Sequence, residues 1–267
     1  SIIGGRVLGL RLHDKAGDLV WCRDNNVEPL SQAATRRQLF SWCGQMIGHF
    51  PVAGWLRPAC SFLKRATNGL SWDQQVTDEV LRMAHDVAQR VKNDDPVTGM
   101  CMWTVPPLQR GQVWCDASSL AIGVCLQIDG RTVEDASWLR KSDDCAHINM
   151  AELEAIIKGI NLALAWNLNE IELLTDSATV FSWLRSLSDG DRPIRTRGLG
   201  EALARRRIAI IGDTIKEYNL KVQPKLVRSV DNKADRLTRV PQVWLKTTVH
   251  VAAVASAENE ERSVDNV

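Results

Sequence analysis

Hydrophobic and polar positions alternate over the first residues, as in Val7-Leu8-Gly9-Leu10-Arg11-Leu12, break at the polar stretch from Asp14 to Asp18, and resume at Leu19-Val20-Trp21. A period of two on both sides of a turn predicts a β-hairpin over 6–21. From residue 34 the period lengthens: Leu39, Phe40, Trp42, Cys43, Met46 and Ile47 follow helical spacing over 34–49, with Thr35 placed to cap the helix. Pro51 and the stretch from Gly54 to Pro58 interrupt before a second helical run over 59–64. A third helix is predicted over 71–92, opened by Ser71 or Asp73, with Val76, Val80, Leu81, Met83, Ala84, Val87 and Val91 on one side. Asn93-Asp94-Asp95-Pro96 ends it.

Residues 96–112 hold Pro96, Pro106, Pro107 and Gly111 and read as a linker. Beyond it the period returns to two. Strands are predicted over 112–118, 121–128 and 131–139, the last two joined by the turn pair Asp129-Gly130. A helix over 150–166, a strand over 170–176 and a helix over 177–187 follow. After a polar break at 188–193 come a basic helical region over 198–219, a strand over 221–229 and a final helix over 232–239. Residues 246–267 are polar and rich in Ala and Glu, as in a disordered tail.

Composition adds bounds rather than an identity. A length of 267 residues suits two domains, and 45% hydrophobic with 24% charged residues is ordinary for a chain that builds hydrophobic cores. Net charge is +1, so any attraction for nucleic acid must be local. Seven scattered cysteines without a C-x-x-C pair read as reduced, buried thiols of a cytosolic-type compartment. No apolar stretch is long enough to span a membrane and no signal peptide is visible.

The chemistry lies in four acidic residues. Asp116 sits in the apolar-flanked run Val113-Trp114-Cys115-Asp116-Ala117-Ser118, and Glu152 stands near a helix start in Met150-Ala151-Glu152-Leu153-Glu154. Asp176 ends the strand-like run Ile171-Glu172-Leu173-Leu174-Thr175-Asp176-Ser177, and Asp235 lies in Asn232-Lys233-Ala234-Asp235-Arg236-Leu237-Thr238-Arg239. Carboxylates at the ends of apolar strands are costly to bury unless a cation compensates them. Four that converge would repel one another unless divalent metal ions neutralise them, as in a site that cleaves phosphodiesters with two metals.

The order Asp, Glu, Asp, Asp, at intervals of 36, 24 and 59 residues, resembles ribonuclease H type 1 as fused to the reverse transcriptases of gypsy-like LTR retrotransposons. The resemblance is specific over residues 112–245. Residues 1–105 resemble, more diffusely, the last palm strands and helical thumb or connection of a reverse transcriptase, without the Tyr/Phe-x-Asp-Asp turn of polymerases. The implied fold class is α/β: a ribonuclease H-like domain over 110–240, with a mixed five-stranded sheet flanked by helices, preceded by a mainly helical remnant. With no initiator Met, the chain then reads as part of a Pol polyprotein whose integrase would follow residue 246. The implied activity is endonucleolytic hydrolysis of the RNA strand of RNA/DNA hybrids, with no polymerase activity. By the same resemblance Asp116 bridges two Mg²⁺ ions, Mn²⁺ being able to substitute, while Glu152 and Asp176 complete one metal site and Asp235 the other. Asn149 and Ser177, and Arg205 and Arg206 in the basic stretch from Arg192 to Arg207, are implied substrate contacts. Implied partners are the hybrid and the rest of Pol (palm, fingers and integrase), not a membrane. The implied location is the cytoplasm, virus-like particles or the nucleus.

Two carboxylates have local rivals. Asp231 competes with Asp235, and Glu154 with Glu152; the last two point about 200° apart on a helix, so only one can face the sheet. The stretch 222–235 has no His, where cellular and retroviral ribonucleases H carry one, and His147 reads as a polar loop residue. Trp42, Trp55, Trp166 and Trp183 read as core, and Trp103 in the linker as a candidate nucleic-acid contact. The alternative reading is a hybrid-binding or dimerisation module without catalysis, from which retention of all four carboxylates argues away. An exonuclease would want Asp-x-Glu where the chain has Asp116-Ala117-Ser118, and an integrase would want its Glu last.

Overall fold

In a computed structural model of the protein, which describes residues 4–101, 110–141, 147–188 and 201–246, two large hydrophobic cores form, each under its own sheet. The first sheet runs β1 (Arg6–Val7), β2 (Leu10–Lys15), β3 (Asp18–Arg23) and β4 (Thr98–Met100), all antiparallel neighbours. The predicted hairpin is β2–β3, closed by a two-residue turn at Ala16 and Gly17. Helices α1 (Arg36–Ile47), α2 (Leu56–Ala66) and α3 (Asp78–Asn93) supply most of the first core.

Thr35 caps α1 as its sequence position predicts. Its hydroxyl accepts from the Gln38 N–H, and the Gln38 side chain accepts from the Thr35 N–H. The third helix departs from expectation, starting at Asp78 behind the Thr77 cap rather than at Ser71 or Asp73. The cause is non-local. Residues 72–76 lie along the start of α1, where the Arg36 and Arg37 N–H groups donate to the carbonyls of Gln74 and Trp72, and Val76 N–H donates to Ala34. These carbonyls satisfy amides that the first turn of a helix leaves unpaired, so the segment makes a turn at 72–74 and a single bridge from Gln75 to Thr35 instead of a helix.

The second sheet has the order β7-β6-β5-β8-β9, formed by β5 (Arg110–Ala117), β6 (Ala121–Ile128), β7 (Arg131–Leu139), β8 (Glu170–Thr175) and β9 (Lys221–Leu226). β5, β6 and β7 are antiparallel neighbours, while β8 and β9 run parallel to β5. This order and these directions are those of a ribonuclease H-like fold. Asp129 and Gly130 make the predicted turn. Helices α4 (Ile148–Ala165), α5 (Ala178–Ser188) and α6 (Glu201–Glu217) cover one face. The other carries a small cluster of Trp114, Cys125, Leu174, Ala234 and Leu237, formed where the last segment crosses the sheet.

That last segment is not the helix predicted over 232–239. It makes two short 3-10 turns, Ser229–Asp231 and Asp235–Leu237. Buried bonds to the sheet compete with helix formation: the Asn232 amide donates to the Cys115 carbonyl, and the Ser118 and Ser137 hydroxyls donate to the Thr238 and Leu237 carbonyls. The chain then leaves the sheet, and Val240 and Trp244 enter the first core, with the Trp244 indole stacked on Phe62 and donating to Asp86. Trp42, Trp55 and Trp183 are buried and Trp166 is half-buried, as expected. Trp103, Cys145, Arg192, Arg195, Arg197 and the tail beyond residue 246 lie outside the described residues. Among the described residues no helix is long and apolar enough to cross a membrane.

The two cores meet at the edge strand β7. Asp135 is buried there, and its carboxylate accepts from the Ala53 and Gly54 N–H groups at 3.1 and 2.7 Å and from Arg57 at 2.6 Å. Its own N–H donates to the Pro51 carbonyl, so part of the sheet edge is paired and covered. Arg57 also donates to the Phe50 and Pro51 carbonyls. A buried ion pair that loses one partner strands the other charge, at a cost of about 3–5 kcal/mol. Asp135→Ala is therefore expected to lower the urea-unfolding free energy by about that amount; a loss under about 1 kcal/mol would show that this contact does not hold the two cores together.

Candidate metal-binding active site

Parallel pairing of β5 with β8 sets the site. The register matches Arg110 with Glu170 and continues to Trp114 with Leu174, which brings Asp116 at the end of β5 level with Asp176 just beyond β8. Carboxyl ends of parallel strands are where open α/β sheets place their ligands. Glu152 arrives from α4. It lies seven residues before Gly159, so the two share one stripe of the helix. A Cβ at Gly159 would stand 2.6 Å from Val113 Cγ1 and 2.8 Å from Cys115 Sγ, so only glycine lets α4 approach β5 this closely. Two turns nearer its start, the same stripe delivers Glu152 to the end of β5, where it interacts with the Ala117 backbone.

Asp116, Glu152 and Asp176 each present an oxygen to the same point, all three within 4.8 Å of one another. Asp116 and Glu152 are buried and Asp176 is half-buried. None of the three forms an ion pair among the described residues, and Glu152 Oε2 is buried without a hydrogen-bond partner. Burial first, and then the Asp116 and Asp176 charges, push the Glu152 carboxyl up to about 8. Burial likewise raises Asp116, with Asp176 and Asp235 adding to the rise and the Thr238 hydroxyl opposing it. Convergent oxygens and an orphaned buried acceptor, in a cluster that holds no His or Cys among the described residues, fit a hard divalent cation such as Mg²⁺ or Mn²⁺.

Asp235 is close enough for its charge to raise Asp116, but stands outside the three-carboxylate cluster. It is half-buried and ion-paired with Arg239 one turn on. Its rival Asp231 is exposed and paired with Arg228. Glu154 bonds Arg207 and Lys158 at the helix surface, leaving Glu152 to face the cluster. Asn149 is half-buried one turn before Glu152 on α4. Ser177 caps α5, its hydroxyl accepting from the Val180 N–H, which leaves its own proton to donate. Arg205 and Arg206 are exposed on α6, Arg205 being paired with Glu201. Arg207 instead clamps α6 to the start of α4 through the Met150 carbonyl and Glu154. His147 is exposed at the position before α4.

Sequence reading passed over two residues that hold the carboxylates. The Asn232 amide donates to Asp176 Oδ1 at 3.1 Å as well as to Cys115 O at 2.9 Å, and the Thr238 hydroxyl donates to Asp116 Oδ2 at 2.6 Å. Both flank Asp235 in the same short motif, which was the signal available. Gly123, the cross-strand partner of Asp116, makes room for this segment: a Cβ there would come within 2.9 Å of Leu237, Ala234 and Thr238.

The chain thus has a ribonuclease H-like fold with a carboxylate cluster at the strand ends. Residues 116–201 match a family profile described as reverse transcriptase-like, and residues 35–93 match a domain of unknown function (DUF7047). No curated protein matches. Among solved structures, the foamy viral protease-reverse transcriptase in complex with RNA/DNA hybrid is similar at 12% identity and a TM-score of 0.58, over 90% of this chain and 30% of that one. The foamy viral protease-reverse transcriptase dRH in complex with double-stranded DNA is similar at 10% identity and a TM-score of 0.56, over 84% of this chain and 38% of that one. Ribonuclease H1 from the halophilic archaeon Halobacterium salinarum NRC-1 is 19% identical, with a TM-score of 0.38, over 48% of this chain and 92% of that one. At these identities the likeness is one of fold.

The raised Glu152 carboxyl makes stability depend on pH. Unfolded, this group loses its proton near 4.5; folded, it keeps it to about 8. Between those values the folded chain binds more protons, so stability falls as pH rises through the window. In excess chelator, the urea-unfolding free energy is expected to drop from pH 5 to pH 8, and Glu152→Gln to flatten that drop by more than about 1.4 kcal/mol, the equivalent of one pKa unit. An equal slope in the variant would refute the assignment.

Proposed function

We propose that the chain is a nuclease that hydrolyses the RNA strand of RNA/DNA hybrids endonucleolytically, with Asp116, Glu152, Asp176 and Asp235 as its metal-binding carboxylates. The observation that carries this reading is the cluster of three carboxylates, two of them buried and none in an ion pair among the described residues, at the carboxyl ends of β5 and β8. Divalent ions, when bound, supply an activated water and offset the charge that develops on the phosphoryl and leaving oxygens. The residues do the rest. Asp116, Glu152 and Asp176 stand on rigid elements and present fixed oxygens, while Asp235 completes the set by giving up its bond to Arg239. Near neutral pH Glu152 must also give up its proton, so cation binding strengthens as pH rises towards about 8.

On this reading Asn149, half-buried one turn before Glu152, and the Ser177 hydroxyl, which accepts from Val180 and can still donate, meet the 2′-hydroxyls that distinguish RNA from DNA. Arg206, exposed on α6, suits the phosphate backbone. The similarity to the foamy viral protease-reverse transcriptase in complex with an RNA/DNA hybrid, and the reverse transcriptase-like profile, support a hybrid as the substrate. On this reading the remainder of a retroelement Pol polyprotein is the setting, in the cytoplasm, virus-like particles or the nucleus.

Incubated with an end-labelled hybrid and Mg²⁺ or Mn²⁺, the chain is expected to cut only the RNA strand, leaving 3′-hydroxyl and 5′-phosphate ends. Asp176→Asn should reduce the rate at least about 100-fold, the scale on which removing a designed electrostatic group acts. Hybrid binding without cutting, unchanged by the substitution, would mean a binding module instead.

A further inference from the structure

Resting on the metal-site reading above, we infer that Thr238 is the positioning residue that fixes the Asp116 carboxylate and couples it to the turn that carries Asp235. Thr238 is buried to 1% exposure, and its Oγ1 lies 2.6 Å from Asp116 Oδ2. The same oxygen lies 2.9 Å from the Asp235 carbonyl, but a hydroxyl has one proton to give. The carboxylate takes it, since a charge-assisted O–H···O⁻ bond at this length is the stronger one. The Asp235 carbonyl is served instead by the Thr238 N–H at 3.0 Å. One residue thus holds Asp116 by its side chain and Asp235 by its backbone.

Thr238 is itself held. Its carbonyl accepts from the Ser118 hydroxyl at 2.8 Å, two residues beyond Asp116, and its methyl rests over Gly123, the residue paired with Asp116 across β5 and β6. With Oδ2 occupied by Thr238, Asp116 has a set rotation, and its orientation toward Glu152 and Asp176 is fixed before any ligand arrives. Asn232 plays a different part: its amide bonds Asp176 and the Cys115 carbonyl and does not reach Asp116. The sequence therefore needs a hydroxyl three residues after Asp235, on a side chain whose methyl also packs.

The test compares Thr238→Val, which keeps shape and loses the hydroxyl, with Thr238→Ser, which keeps the hydroxyl. Mn²⁺ is titrated calorimetrically into the full chain, with Asp116→Asn as control and urea unfolding to verify that each variant is folded. Loss of an outer partner of a metal ligand costs about 10- to 100-fold in affinity. Thr238→Val is expected to weaken Mn²⁺ binding on that scale, and Thr238→Ser to stay near the native value. In hybrid cleavage, Thr238→Val should move the Mn²⁺ midpoint upward while saturating Mn²⁺ recovers most of the rate. Native affinity in the Val variant would overturn the inference, as would equal losses in the Val and Ser variants. If the native chain shows no Mn²⁺ binding that Asp116→Asn removes, the metal-site reading fails and takes this inference with it.

Discussion

Like charges resist being brought together away from water, and the candidate site brings three carboxylates within 4.8 Å, two of them buried. Few features of the second sheet are indifferent to that constraint. The strand ends, the bare stripe of α4 and the crossing of the last segment all spend packing on placing groups that destabilise the chain in isolation. Glycine at 159 lets the helix that carries Glu152 come down on β5, and glycine at 123 lets the segment that carries Asp235 come down on β6. Either side chain larger than hydrogen would move one carboxylate away from Asp116. The close packing and the repulsion therefore belong together: only a rigid frame holds acids in a geometry they would otherwise leave.

The last segment links this frame to the rest of the molecule. Between Asn232 and Thr238 it is bonded to the sheet at Cys115, Asp116, Ser118, Ser137 and Asp176. A few residues later Trp244 is buried against Phe62 in the first core. Asp235 thus sits on a short strap tied at one end to the site and at the other to the helical module. The buried Asp135–Arg57 pair fixes the same two bodies at β7. Two attachments on different strands resist rotation where one would act as a hinge.

Local chemistry made much of this legible in sequence. The Thr35 cap, the Asp129-Gly130 turn and the alternation of β5 to β7 follow from residues within a few positions of one another. So does the choice of Glu152 over Glu154, once the helical angle is counted. What was not legible depended on partners far along the chain. Residues 72–76 look helical until α1 claims their carbonyls, and 232–239 looks helical until the sheet claims its polar groups. Asp135 reads as one polar position of an edge strand; its burial arises only because Ala53, Gly54 and Arg57 supply three donors from 78 to 82 residues away. Thr238 and Asn232 stood inside a motif read for its aspartate alone.

The four acids are not held alike, and the difference has a physical consequence. Asp116 and Glu152 are fixed by β5 and α4, and Asp176 by the end of β8 with Asn232 behind it. Asp235 stands on a single 3-10 turn and is neutralised by Arg239, an exposed side chain one turn away. Arg239 is exposed while Asp235 is half-buried, so replacing this arginine by another cation keeps the aspartate's charge compensated. At Glu152 the cost is larger, because a raised carboxyl must lose its proton before it can hold a cation. On the proposed reading, the larger cost of loading the site with a cation near neutral pH therefore falls on Glu152, held by α4, rather than on Asp235 in its 3-10 turn.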